Sequence, residues 1–293
     1  MHKSSTFLVS VLLITVSYCG FAGEEVDKTL DVQPNGTLYI YNTRGQLQIE
    51  GWDKSQIQVV GELDDSAKQL VFKTKGAKAL IKIPLERGHQ RGHGSDLKVF
   101  VPRQTQVRFK GVNTNYSFSG LEAKLEGHTI NGNLMVKQVH ADMMLSSVSG
   151  AVKVFDSSGM AVMESVSGKL NLSGKFDKAH LKSMNGNILA NIDAIEVLKV
   201  ENISGDTAIN GELQNNAKVK LNSVSGDIRY VAKGEFTGEC EVASQFGGVI
   251  SNFLTKDKPW KEKLQQRKLK FVSGDGTGKL LMNTVSGSVI LEQ

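Results

Sequence analysis

The chain has 293 residues, 40% of them hydrophobic and only 6% aromatic, with 35 Lys+Arg against 30 Asp+Glu. A net charge of +5 spread over that length, with no long Lys/Arg run, does not suit a nucleic-acid-binding protein. Twelve Phe, five Tyr and two Trp are too few for base-stacking platforms.

The first predicted element is a secretion signal over residues 1–22. Lys3 supplies the positive start, Phe7 to Val16 the apolar run, and Gly20-Phe21-Ala22 a small-x-small cleavage site. The run is shorter than the roughly 20 residues a spanning helix needs, so the processed chain is expected not to be transmembrane. Lipid attachment at Cys19 is the alternative, but Tyr18 stands where lipoprotein sites carry a small residue. Cleavage after Ala22 leaves Cys240 without a partner for an internal disulfide, so packing and backbone pairing must stabilise the exported protein.

Residues 23–103 are predicted to form an N-terminal β cap, with strands near 38–52, 56–63, 70–84 and 96–102. Within it, 38–52 fits the template of the later repeat, with Gly45 as its anchor. The loop 86–96 carries His89 and His93, spaced like half of a metal site. No companion motif is present, and a solvated hairpin tip is expected rather than a metal centre.

From Val107 onward one pattern recurs about a glycine, clearest in LSSVSGAVKV (145–154), MESVSGKLNL (163–172) and LNSVSGDIRY (221–230). The anchors are Gly132, Gly150, Gly168, Gly186, Gly205, Gly226, Gly247 and Gly287, the first four spaced by 18 residues. Apolar residues occupy the seventh and fifth places before each anchor and the second and fourth after it, with mostly polar residues between. That alternation predicts two short strands per coil with one face buried. A period near 20 predicts stacked coils, so residues 104–293 are expected to form a parallel β-helix with 18–21-residue coils.

Two accounts compete for the glycine: a positive φ at the corner, or a missing Cβ that lets a neighbouring side chain close in. Thr114 holds the anchor place in the first coil and resists positive φ, which favours the second. Three places before the anchors stand Thr129, Ser147, Ser165, Ser183, Asn202, Ser223, Ser244 and Thr284. In register these predict a structural ladder of small polar groups along the stack, not catalytic serines. Cys240 falls in an inward column and is expected in the core.

The stretch 255–270, with Pro259-Trp260, breaks the period and is expected to be an excursion. SGDGTGK (273–279) lacks the first glycine and the Ser/Thr of a phosphate-binding loop, so a glycine-rich turn is expected and no nucleotide. Two surfaces carry chemistry. Asp206 and Asp227, each just after an anchor, would stack on successive coils, the pattern that a polysaccharide-acting β-helix enzyme would use. His180, Lys182, Lys199 and Lys220 make a weakly basic strip suited to anionic glycans or lipid headgroups.

The [ST]-V-S-G-[DKAS]-[IVL] coils, with G-x-L-x-I-x-x-x-x-G-x-L-x-I-x-G-W (36–52) and G-x-G-x-G-x-L-L-x-x-T-V-S-G (274–287), resemble the bacterial "putative adhesin" family of unknown function. The resemblance implies a β-solenoid in the cell envelope with an adhesin-like or scaffolding role. It carries no catalytic residues or cofactor. The expectation is therefore an exported, non-enzymatic binding protein of the periplasm or cell surface. The alternatives are the polysaccharide-acting enzyme and an envelope-stress accessory that binds a membrane partner.

Overall fold

The protein is described by a computed structural model over residues 23–86, 92–246, 250–252, 268–275 and 277–293. The leader, Cys19, His89, Gly247 and positions 255–267 of the expected excursion lie outside the described residues.

Alternation of apolar and polar residues drives nearly the whole chain into strands, because only one face of each can be buried. In chain order they are β1 (Glu25–Asp31), β2 (Thr37–Trp52), β3 (Gln56–Glu62), β4 (Val71–Lys75), β5 (Lys78–Ile83), β6 (Ser95–Pro102) and β7 (Gln106–Ser119). Next come β8 (Leu125–Thr129), β9 (Leu134–Lys137), β10 (Met143–Ser147), β11 (Val152–Ser165), β12 (Leu170–Ser183), β13 (Ile188–Asn202) and β14 (Thr207–Ser223). The last are β15 (Ile228–Ala232), β16 (Gly238–Ser244), β17 (Ile250–Asn252), β18 (Lys268–Ser273), β19 (Lys279–Thr284) and β20 (Val289–Glu292).

Each coil has a first arm before its anchor and a second arm after it, and both pair in parallel with the same arms of the neighbouring coils. Leu145 pairs with Met163, Met163 with Leu181, Leu181 with Val200 and Val200 with Leu221. These five are at most 1% exposed, so a single interior row runs up the stack. Val152, Leu170, Ile188, Thr207 and Ile228 form the matching row on the second arm. The fold is an all-β parallel solenoid.

The corner between the arms decides the glycine question. None of the described repeat anchors (Gly132, Gly150, Gly168, Gly186, Gly205, Gly226, Gly287) has a positive φ. A Cβ on Gly150, Gly168, Gly186, Gly226 or Gly287 would instead lie inside the carbonyl oxygen of the anchor one coil below, closer than the 3.0 Å limit real Cβ atoms respect. The intruding group is backbone, not the side chain expected from sequence. Gly45, in contrast, does have a positive φ, +116°.

The small polar column is tied through that same backbone. Ser165 Oγ accepts from the Gly168 N–H at 2.8 Å, and Ser147 Oγ accepts from Gly150 at 2.9 Å while donating to the Gly132 carbonyl at 3.1 Å. Asn202 does the donor's work with its amide, reaching the carbonyls of Gly186 at 3.1 Å and Gly205 at 2.7 Å. The ladder therefore runs hydroxyl to corner backbone, a correction to the expected side-chain-to-side-chain stack. Pairing the corner carbonyls and N–H groups in this way lowers the cost of burying them.

Stack order departs from chain order at both ends. The β2 coil lies between β7 on one side and the later strands β5 and β6 on the other. Residues that the sequence assigns to a cap thus continue the stack itself. At the far end, β19 and β20 insert between the coil of β14 and β15 and the coil of β16 and β17. The corner bonds agree: Thr284 donates to Gly226 O at 3.2 Å and Ser244 to Gly287 O at 3.0 Å. Antiparallel strands close the outer edges, β4 on β5, β3 on β6 and β18 on β16. Lys268–Lys270 open β18 and so belong to that closing strand, not to the excursion predicted for 255–270.

One buried ion pair anchors the N-terminal end. Arg44 donates to both carboxylate oxygens of Asp64, one of them at 2.8 Å, and to Ser66 Oγ at 3.2 Å. The Asp64 side chain is fully buried, and the Arg44 guanidinium holds its carboxyl below the usual carboxylate range.

Two measurements test this account. Gly168→Ala should lower urea-unfolding stability by about 2–3 kcal/mol through the backbone clash, whereas exposed Ser167→Ala should change it by under about 0.5 kcal/mol. Asp64 has a depressed pKa in the folded state, so its contribution is present above the ordinary carboxylate value and is lost as pH falls through the lowered one. Between pH 5 and 2, Asp64→Asn should therefore show a flatter fall in stability than the wild type, starting from a lower value at pH 7.

Candidate functional site

Outward side chains of the first arms share one face, and successive coils bring them about 4.8 Å apart. At its N-terminal end this face carries an open groove of about 500 Å³, floored at Phe109, Gly127 and Leu145. Tyr39 and Tyr41 line it from β2, Arg108 and Lys110 from β7, Glu126 and His128 from β8. Met144 and Ser146 follow from β10, then Val162 and Glu164 from β11. Glu126 partly neutralises this lining, with one oxygen 3.1 Å from Lys124 Nζ and 3.6 Å from Arg108.

Further along the face, strand register unites the four residues of the basic strip. His180 pairs with Lys199 and Lys199 with Lys220, while Lys182 lies one outward column away on the His180 strand. Glu201 enters the strip opposite Lys182. Its carboxylate accepts from Lys199 at 2.8 Å and meets His180 Nε2 at 3.3 Å. The Lys199 ammonium, with His180 adding to it, holds the Glu201 carboxyl below its ordinary value. Among the described residues, neither Lys182 nor Lys220 makes an ion pair, and Lys182 lies in register between Glu164 and Glu201.

The two aspartates are spent on the backbone. Asp206 Oδ1 accepts the Asp227 N–H at 3.2 Å, and Asp227 Oδ1 accepts that of Ser288 at 2.7 Å. Asn133 and Asn187 do the same for Ala151 and Asp206, at 2.9 Å and 3.1 Å. The column just after the anchors is thus an acceptor ladder for corner N–H groups, and an uncharged Asn serves it equally well. Both aspartates are exposed on the corner.

The remaining candidates are local. His93 is almost fully exposed and 3.5 Å from Asp65, and no group of three or more His, Cys, Asp or Glu among the described residues could hold a metal. Gly274 and Asp275 make the turn between β18 and β19, with Asp275 Oδ1 accepting from Thr277. Cys240 is in the core, and burial pushes its thiol up to about 12. No helix among the described residues is long and apolar enough to cross a membrane.

Sequence reasoning missed the groove because its walls come from β2 and the first coils, which fall on either side of the expected cap boundary. The signal was available: Tyr39 and Tyr41 occupy the same outward columns, relative to Gly45, as His180 and Lys182 do relative to Gly186. Glu201 is a plain polar member of that pattern, and only the register shows it between two cations.

A stacked β-solenoid with a grooved, charged strand face is the class of protein that these features define. The profile of the Toastrack DUF4097 family matches residues 33–292, and the chain belongs to that family. No curated protein matches it in sequence. Among solved structures it is similar to a "putative adhesin" from Parabacteroides distasonis ATCC 8503, at 13% identity and TM-score 0.54, covering 92% of this chain and 98% of that one. A "putative adhesin" from Parabacteroides merdae ATCC 43184 is similar at 12% identity and TM-score 0.53, covering 92% and 96%. At such identities the likeness is one of fold.

Cys240 provides a check on the core. In the folded protein at pH 8 it should resist a thiol reagent such as DTNB, and it should react stoichiometrically once the chain is unfolded in guanidinium.

Proposed function

We propose that this is an exported, non-enzymatic envelope protein that holds an acidic polymer against the first-arm face of its solenoid, in the manner of an adhesin or scaffold. The observation that carries the reading is the alignment of the groove with Lys182 and Lys220 along one face at the coil pitch. A row of equivalent weak contacts suits an extended chain better than a compact ligand, because each adds to the avidity of the next. The leader-like residues 1–22 support export, and the "putative adhesin" neighbours support a surface role. The polar groups most suggestive of catalysis are occupied elsewhere: the ladder hydroxyls by corner backbone, Asp206 and Asp227 by the coils that follow them.

The test is retention of the processed chain on an immobilised acidic polysaccharide such as alginate. The wild type should be retained at low salt and elute as ionic strength rises. The double variant Lys182→Glu/Lys220→Glu should bind at least about tenfold more weakly, a change of about 1.4 kcal/mol. Equal retention of both proteins, or none of either, would remove the reading.

A further inference from the structure

The column two places before each anchor faces outward, yet it is apolar. In stack order it reads Val112, Ile130, Val148, Val166, Met184, Ile203, Val224 and Val285. All but the half-buried Val285 are between 36% and 45% exposed. Backbone bonds hold the column straight: the N–H one place further on donates to the carbonyl of the column residue one coil below. Examples are Ser167 to Val148 at 2.8 Å, Asn185 to Val166 at 2.8 Å and Ser204 to Met184 at 2.7 Å. The ridge ends in polar residues, Thr43 on the β2 coil and Gln245 on the β16 coil.

Local structure does not require apolar side chains here. The backbone bonds are made whatever the side chain, and threonine has the same β-branched shape as valine while leaving a hydroxyl in water. An unbroken apolar line over so many coils is rare on a solitary soluble protein, whose exposed apolar residues are scattered.

We propose that this ridge is the contact between two copies of the chain, packed corner to corner about a two-fold axis. Three observations favour a second copy over other occupants. First, the flanking column on the second-arm side is uncharged along the whole ridge, Asn113, Asn131, Ser149, Ser167, Asn185, Ser204, Ser225 and Ser286, and the next outward column on the first-arm side mixes both signs, with Lys110, Glu164, Lys182 and Glu201. Near a two-fold axis each group meets its own like, so a neutral, self-complementary surface is what such an interface needs. A surface for anionic lipid headgroups would carry Lys and Arg beside the apolar line without the carboxylates, Glu164 and Glu201, that share their column here. Second, the ridge is continuous over eight coils, so a second copy would cover an extended line of apolar side chains and not one isolated residue. Third, a second copy has the same coil pitch, so its side chains fit between those of the first along the whole length.

Sedimentation of the processed chain over a concentration series tests the proposal. The wild type should pass from monomer to dimer in the micromolar range. Val166→Lys/Ile203→Lys should raise the dissociation constant at least about tenfold with an unchanged circular-dichroism spectrum. If that variant does not fold, Val148→Thr/Val166→Thr/Val224→Thr keeps the shape and should still weaken the dimer. A wild type that stays monomeric at about 100 µM, or variants that dimerise equally well, would overturn it. So would flotation of a monomeric wild type with phosphatidylcholine/phosphatidylglycerol vesicles when the variants do not float, which would assign the ridge to a membrane. Alginate retention uses the first-arm face, so it is expected to survive in the ridge variants, and either proposal can fail alone.

Discussion

The structure depends on one close approach: the anchor carbonyl of each coil against the bare Cα of the anchor above it. Hydrogen bonding between parallel strands sets the coil separation at about 4.8 Å, and at the corner that leaves no room for a Cβ. Three other ladders are locked to this contact. The Ser/Thr/Asn column closes on the anchor N–H and on the carbonyl below, and the next N–H groups bond the apolar column's carbonyls. The Asn/Asp column accepts N–H groups from the coil that follows. With the corner held this way, register is no longer free to slip, and each numbered column keeps one face.

That arrangement explains which residues remain available for function. Serines and aspartates in register look like chemistry in the sequence, but here the serines satisfy buried corner backbone groups and the aspartates accept exposed corner N–H groups at the same tight bend. Columns with no backbone duty, on the arms' outer face and at the corner's apolar position, are the ones free to vary toward a partner. They differ in kind. The arm face mixes tyrosines, cations and carboxylates and is partly self-neutralised through Glu126 and Glu201. The corner line is apolar, with a neutral Asn/Ser column on its second-arm side.

Most of the fold was legible because a period-two alternation fixed to a repeating glycine specifies both face and register. Leu145, Met163, Leu181, Val200 and Leu221 fall in one row for that reason, and Cys240 is buried because it shares the neighbouring inward column. The order of coils at the ends was not legible. Segments 37–52, 78–102 and 106–119 all fit a strand template, as do 219–232, 239–252 and 279–292, and local periodicity does not say which lies beside which. That choice is made by long-range features: the Arg44–Asp64 pair at one end, and at the other the antiparallel strand β18, whose Lys270 bonds Glu239. The groove was hidden by the same ambiguity, since it needs β2 beside β7. The basic strip was legible as a set of cations, but its charge was not. Glu201 sits 19 residues from Lys182 in sequence and becomes its neighbour only when the coils stack.

The intercalated ends also bear on how a surface of this kind stays a surface. An open β-stack exposes unpaired backbone at both ends and would add further strands without limit. Here the β2 coil and the β19–β20 coil, which lie toward the two ends of the chain, are not the outermost ones. Each is paired on both sides, and the outermost coils are closed by antiparallel strands whose own direction is wrong for continuing the parallel stack. The parallel stack therefore ends at these strands, while the sides stay open because their backbone groups are already paired from coil to coil. Any contact that the sides make with another molecule is therefore left to side chains on the outward columns and not to backbone pairing.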